Sequence, residues 1–131
     1  MSQDMTWNEF EEVWVLPFKS QEFMQGPQMH QTLTEVQLRL DHETETGKYV
    51  WTNLVFLRTH ALIFTSHASC SRDQVRAYDR LVQVNHSDWL QGMRGVEPDV
   101  RHYRVYFDEF GCYDIAAASF EVREESPGPV T

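Results

Sequence analysis

The side chains equipped for chemistry gather on one alternation face of a hairpin. Over Arg101–Val122 (R-H-Y-R-V-Y-F-D-E-F-G-C-Y-D-I-A-A-A-S-F-E-V), His102, Arg104, Tyr106 and Asp108 share one side of the first run. Cys112, Asp114, Ala116 and Ala118 share one side of the second. Strand side chains alternate with a period of two, so such sets line common faces. His102, Tyr106 and Asp114 bring an imidazole, a phenol and a carboxylate together, the groups from which acid–base sites are made when burial shifts a pKa. If that face walls a cavity, the three are a ligand or reaction site. If it is solvated, as one face of an antiparallel sheet commonly is, they are surface residues joined by cross-strand bonds. The wet face is the expectation. Trp89, on a short capped segment ahead of the hairpin, is a further candidate binding residue.

A second cluster is His60, His67 and Cys70, spaced H-x6-H-x2-C. Zinc takes four such ligands in a structural site and three plus water in a catalytic one, and neither gap here matches a common zinc spacing. These residues are the long shot for a metal; the plainer expectation is two loop histidines and a small buried thiol. Cys70 beside His67 would suit a thiolate pair, just ahead of a helix start, yet nothing resembling the signatures around catalytic cysteines surrounds it. The acidic pairs Glu11-Glu12, Asp108-Glu109 and Glu124-Glu125 point to opposite sides of a strand or helix. G-x-S-x-G, G-x-x-x-x-G-K and G-x-G-x-x-G are all absent, so hydrolase elbows and phosphate-cradling loops have no support. No catalytic residue, metal or cofactor is assigned.

Charge narrows the partners. The net charge is −9, spread as 4 basic and 9 acidic side chains over residues 1–65 and 7 and 11 over residues 66–131. A field of that sign repels nucleic acid and anionic lipid and attracts a basic protein. No run of apolar residues is long enough to span a membrane, and the first residues lack a basic and apolar leader, so the expected compartment is the cytoplasm, with Cys70 and Cys112 reduced.

The elements that must position these residues follow from patterning. A length of 131 residues bounds the chain to one domain with its own core. Trp7, Phe10 and Trp14 fall at helical spacing, which predicts a short helix or turn and then a strand at Val13–Leu16; with Phe18 they form a stripe expected in the core or as a lid over it. Residues 20–31 read as a loop broken at Gly26-Pro27. Thr32–Asp41 alternates, with Val36, Leu38 and Leu40 inside and Glu35, Gln37, Arg39 and Asp41 outside. Tyr49–Arg58 and His60–Ser66 read as two apolar strands covered on both faces. Ser71 to Gln74 fits a capping box before a short helix, Leu81–Val84 is a strand, and Asn85–Asp88 caps a second helix that Gly95 ends. In the hairpin, Tyr103, Val105, Phe107 and Ile115 are the expected core, and Gly111 supplies the turn's positive φ. Residues 1–5 and 124–131 read as mobile tails. The fold class is α+β and mainly β: a curled antiparallel sheet, barrel-like or a sandwich, with one to three short helices.

Two stretches, A-Y-D-R-L-V-Q-V-N-H-S-D-W-L at Ala77–Leu90 and H-Y-R-V-Y-F-D-E-F-G-C-Y-D-I-A-A at His102–Ala117, resemble small uncharacterised bacterial proteins. Some proteins of that kind sit beside toxin genes as immunity proteins. The shared motifs are structural, so the resemblance implies a bacterial binding protein and no residue roles. The functional expectation is a non-catalytic, acidic interaction protein with a basic protein partner, homo-oligomerisation being compatible with it. The alternative is a small-ligand-binding or enzymatic β domain whose cavity is lined by His102, Tyr106 and Asp114.

Overall fold

The structure, a computed structural model, describes residues 9–125. It is mainly β: a single antiparallel sheet of seven strands that does not close. The strands are β1 (Phe10–Val15), β2 (Gln28–Gln31), β3 (Glu35–Glu43), β4 (Tyr49–Ser66), β5 (Arg80–Val84), β6 (Arg101–Phe107) and β7 (Gly111–Glu125), in the spatial order β1-β5-β6-β7-β4-β3-β2. Two one-turn helices, α1 (Arg72–Val75) and α2 (Asp88–Gln91), and two 3-10 turns lie in the connections. Trp7 lies outside the described residues, as do residues 1–5 and 126–131; Glu124 and Glu125, expected in a tail, close β7.

Long β4 and β7 form the spine, paired from Trp51–Glu125 to Ser66–Gly111. The expected second and third strands are one continuous β4. Arg58, in the left-handed region at φ 51, and a register shift between Thr59 and Ala61 bend it where the sequence suggested a break. Val50–Phe56 is buried on both faces as expected; from Leu57 onward β4 is not, because β3 ends its register at the Glu35–Leu57 pair. β1 is a strand from Phe10, so the helical spacing there misleads; pairing of Phe10–Glu12 and Trp14–Val15 with β5 decides the conformation. β2 was hidden in an apparent loop because its sequence, Q-M-H-Q, has no apolar alternation; it follows a cis Gly26–Pro27 peptide and pairs with β3.

One face of the sheet holds the main core: Val36, Leu38 and Leu40, Leu54 and Phe56, Leu81, then Tyr103, Val105, Phe107 and Ile115 as the hairpin alternation predicts. Trp14 and Phe18 pack against this core and Phe10 against the core of the opposite face. Residues 16–27 form a strap. Leu16, Phe18 and Phe23 pack on the main core, and Ser20 N–H donates to Asp79 Oδ2 at 3.0 Å while Ser20 Oγ accepts from Asp108 N–H at 3.2 Å. The strap's far end wraps Asp41. Expected outside, Asp41 is fully buried, because its carboxylate accepts backbone N–H bonds from Met24, Gln25 and Gly26 and the hydroxyl of Tyr49. Gly26 is required there: a Cβ would meet the Arg39 carbonyl oxygen at 2.8 Å.

Candidate functional site

The opposite face of the hairpin is not wet. His102 is 4%, Asp114 5% and Tyr106 2% exposed, and Cys112 is fully buried. The expectation of solvent fails because the segments on either side of β5, residues 67–79 and 85–91 (together the 67–91 cover), fold back over β6 and β7. Three local devices put them there. Ser71 caps α1 through the expected capping box: its hydroxyl accepts Gln74 N–H and the Gln74 side chain accepts Ser71 N–H. Residues 77–79 then bond to Tyr106, whose N–H donates to Ala77 O at 2.9 Å and whose carbonyl accepts Asp79 N–H at 2.8 Å. Ser87, within the expected Asn85–Asp88 stretch, caps α2, whose C-cap is Gly92 instead of Gly95. Ala77, Val82, Val84, Tyr106 and Cys112 make a second small core under this cover.

Between cover and sheet lies a sealed polar network. Ser87 Oγ stands 2.7 Å from His102 Nδ1, and His102 Nε2 stands 2.6 Å from Asp114 Oδ1. An ionised carboxylate only accepts, so Nε2 carries a proton and donates to Asp114. Nδ1 pairs with the Ser87 hydroxyl, whose oxygen also accepts Leu90 N–H at 3.2 Å. Arg104 Nε donates to the same Asp114 oxygen at 2.7 Å, and Arg104 Nη1 reaches Asp73 Oδ2 at 3.1 Å. Gln74 Nε2 and Cys112 Sγ approach the other Asp114 oxygen at 3.3 and 3.7 Å. Burial pushes the Asp114 carboxyl up, but the bond from His102 and the Arg104 charge outweigh it, and its pKa lies below the usual value. The Cys112 thiol is pushed well up, first by burial and then by the Asp114 charge, so it is a poor nucleophile.

Hydroxyl, imidazole and carboxylate in series is the order of a serine-nucleophile site. Here it lacks the properties such a site requires. Ser87 is 6% exposed and its hydroxyl is occupied as a helix cap. The Asp114 charge is shared with Arg104 and so is not reserved for an imidazolium. The arrangement holds the cover onto the sheet.

Of the residues singled out from sequence, His102 and Asp114 meet directly, and the half-buried Trp89 ring meets His102 edge-on at 4.8 Å. Tyr106 belongs to the neighbouring core; its hydroxyl pairs with His67 Nδ1 at 2.7 Å. Cys70 is half-buried and donates to the carbonyls of Thr65 and Ser66, while burial raises its pKa, which disfavours a thiolate pair with His67. His60, on β4 seven residues before His67, joins neither. Among the described residues no group of three or more His, Cys, Asp or Glu is placed to hold a metal, His60, His67 and Cys70 included. Sequence reasoning missed Ser87, Asp73 and Gln74 as site members, reading two of them only as helix-capping residues. Arg104 was legible on the same alternation face as His102.

A cleft of about 460 Å³ lies elsewhere, lined by Pro17, Phe18, Glu22, His42 and Glu43–Thr46, and it shares no residue with the polar network. Phe18 stacks on His42 at 3.8 Å along its wall, and Glu22, Glu43 and Glu45 supply three carboxylates. Among the described residues no helix is long and apolar enough to cross a membrane. Compared with family models, with curated proteins and with solved structures, the chain matches none.

Proposed function

We propose that this chain is a non-catalytic, acidic binding protein of the immunity-like kind, which meets a basic protein partner in the bacterial cytoplasm. The observation that carries this reading is a contrast between two places. The groups able to do chemistry, Ser87, His102 and Asp114, are buried and bonded to one another. The carboxylates of the cleft, by contrast, border open space beside an aromatic and a proline. A lysine or arginine side chain of a partner fits such a cleft: its stem packs on Phe18 and Pro17, and its charge meets Glu22, Glu43 and Glu45. The competing reading, a ligand cavity lined by His102, Tyr106 and Asp114, loses its support, since those side chains face the 67–91 cover.

The test is calorimetric titration of the purified protein with the product of each adjacent gene at low ionic strength. Binding is expected to one basic product. It should weaken steeply with added salt and on combining Glu22→Lys, Glu43→Lys and Glu45→Lys. Absence of binding to every neighbour at low salt, or binding indifferent to the three charge reversals, would sink the reading.

A further inference from the structure

β4 is the longest strand, yet β3 covers only part of it. The β3–β4 register ends at Glu35–Leu57, with one more bond from Thr59 N–H to the Thr34 carbonyl. From Ala61 to Ser66, β4 pairs with β7 on one side, and among the described residues no strand pairs with the other. Half of the N–H and C=O groups of such a strand point outward, which makes it a template for another strand.

Free edges are usually protected by charge, proline or brevity. The other edges of this sheet have such protection. β1 carries Glu11 and Glu12, β2 is four residues long, and β7 beyond Ala117 carries Glu121, Arg123, Glu124 and Glu125. The β4 edge lacks it. Residues 59–71 (T-H-A-L-I-F-T-S-H-A-S-C-S) contain no Asp, Glu, Lys or Arg, and Ile63 and Phe64 are 45% and 50% exposed.

We infer that the β4 edge His60–Ser66 is a self-association seam, on which a second copy of this chain docks as an antiparallel strand. Two copies that each carry −9 repel, so a contact between them has to place no like charges opposite one another. The uncharged β4 edge meets that condition over a longer run than four-residue β2, which is also uncharged. A two-fold axis at Ile63 sets Ile63 against Ile63 of the second copy, Leu62 against Phe64, and Ala61 against Thr65. Both sides of the seam therefore match aliphatic, aromatic or small neutral groups. The sheet then continues from one copy to the next through β4.

Sedimentation equilibrium across a wide concentration range tests this, with Ile63→Lys and Phe64→Lys as variants and thermal melts to confirm that they fold. The wild-type protein should show a reversible monomer–dimer equilibrium that tightens as salt screens the mutual repulsion, the reverse of the salt effect on a basic partner. Either variant should weaken dimerisation at least tenfold. As a second measurement, Ile63→Cys should form a disulfide-linked dimer on oxidation, whereas Ser119→Cys, on the free length of β7, should not. A wild-type chain monomeric at every concentration overturns the inference. So does a dimer that both lysine variants leave intact.

Discussion

Replacing Asp114 by alanine should be the most damaging single truncation in the polar network. The carboxylate accepts from His102 and Arg104 at 2.6 and 2.7 Å, and both partners are nearly as buried as it is. Truncation leaves a guanidinium that retains Asp73 but loses its closer partner, and an imidazole N–H with no acceptor. Removing one member of a buried pair costs about 3–5 kcal/mol, against about 0–1 kcal/mol for a surface pair. With an unfolding entropy of roughly 2.1 cal/mol/K per residue, the loss corresponds to a drop in Tm of roughly 10–18 °C. Urea unfolding followed by circular dichroism measures it directly. The sign of a second measurement is more discriminating. Arg104→Met in the Asp114→Ala background should recover part of the loss, because it removes the stranded charge. The pH dependence follows from the lowered pKa of Asp114. Its contribution is fully present above the unfolded value near ~3.9 and disappears as pH falls through the folded value. The gap between wild type and Asp114→Ala should thus be flat at neutral pH and shrink in acid below about pH 4. A loss under about 1 kcal/mol, or a double variant as unstable as the sum of the singles, would refute a buried, coupled pair.

The remaining expectations concern the strap, the hairpin turn and the α2 cap. Tyr49→Phe should lose about 1.5–3 kcal/mol in urea unfolding, because its hydroxyl donates to the buried Asp41 carboxylate. Spectroscopic titration should find the Tyr49 phenol pushed up to about 12, by burial first and then by its bond to Asp41. Gly111→Ala should destabilise by more than about 1–3 kcal/mol: the residue sits at φ 142, and an added Cβ would meet the Thr65 carbonyl oxygen at 2.2 Å. Ser87→Ala should cost about 0.5–2 kcal/mol as a lost cap, and Ser87→Thr, which keeps the hydroxyl, should restore much of it.

The hairpin's core face could be read from sequence since alternation is a local property that burial on one side enforces. Tyr103, Val105, Phe107 and Ile115 lie where their spacing puts them. The fate of the opposite face was not local. Whether His102 and Asp114 meet water depends on where residues 67–91 go, and that path is set by contacts such as Tyr106 with Ala77 and Asp79. Asp41 shows the same limit. Its alternation marks it as outward, and only the strap, arriving from residues 24–26, makes it an interior group. The capping box at Ser71 was legible since all its partners lie within three residues. β2 was not, because a short polar edge strand carries no hydrophobic signal and exists through its pairing with β3.

The two buried aspartates do parallel work. A sheet with apolar groups on both faces gains from almost any cover, because burial of apolar surface is non-directional. Such a sheet does not specify where an irregular connection lies on it. Asp41 fixes the strap by taking three consecutive backbone N–H groups, which only one placement of residues 24–26 satisfies. Asp114 fixes the 67–91 cover through Gln74 from α1 and, by way of His102, through Ser87 at the start of α2. At Asp41 the strap supplies most of the donors, so misplacing it would leave a buried carboxylate short of partners, a costly state. Asp114 keeps His102 and Arg104 from β6 wherever the connection lies, and Gln74 and Ser87 add their bonds only when the cover is seated. Both aspartates have lowered pKa values, burial being outweighed by these bonds. Acid therefore weakens both clasps over the same range below about pH 4, while β4 and β7 are held to each other by backbone pairing, the Asp114 carboxylate on β7 being bonded to β6 and the cover and not to β4. Hydrogen exchange in mild acid should accordingly open the strap and the 67–91 cover before the amides of β4 and β7. Simultaneous opening of all three would mean that the covers and the sheet form one cooperative unit, and that the aspartates contribute to its total stability without setting the order in which it comes apart.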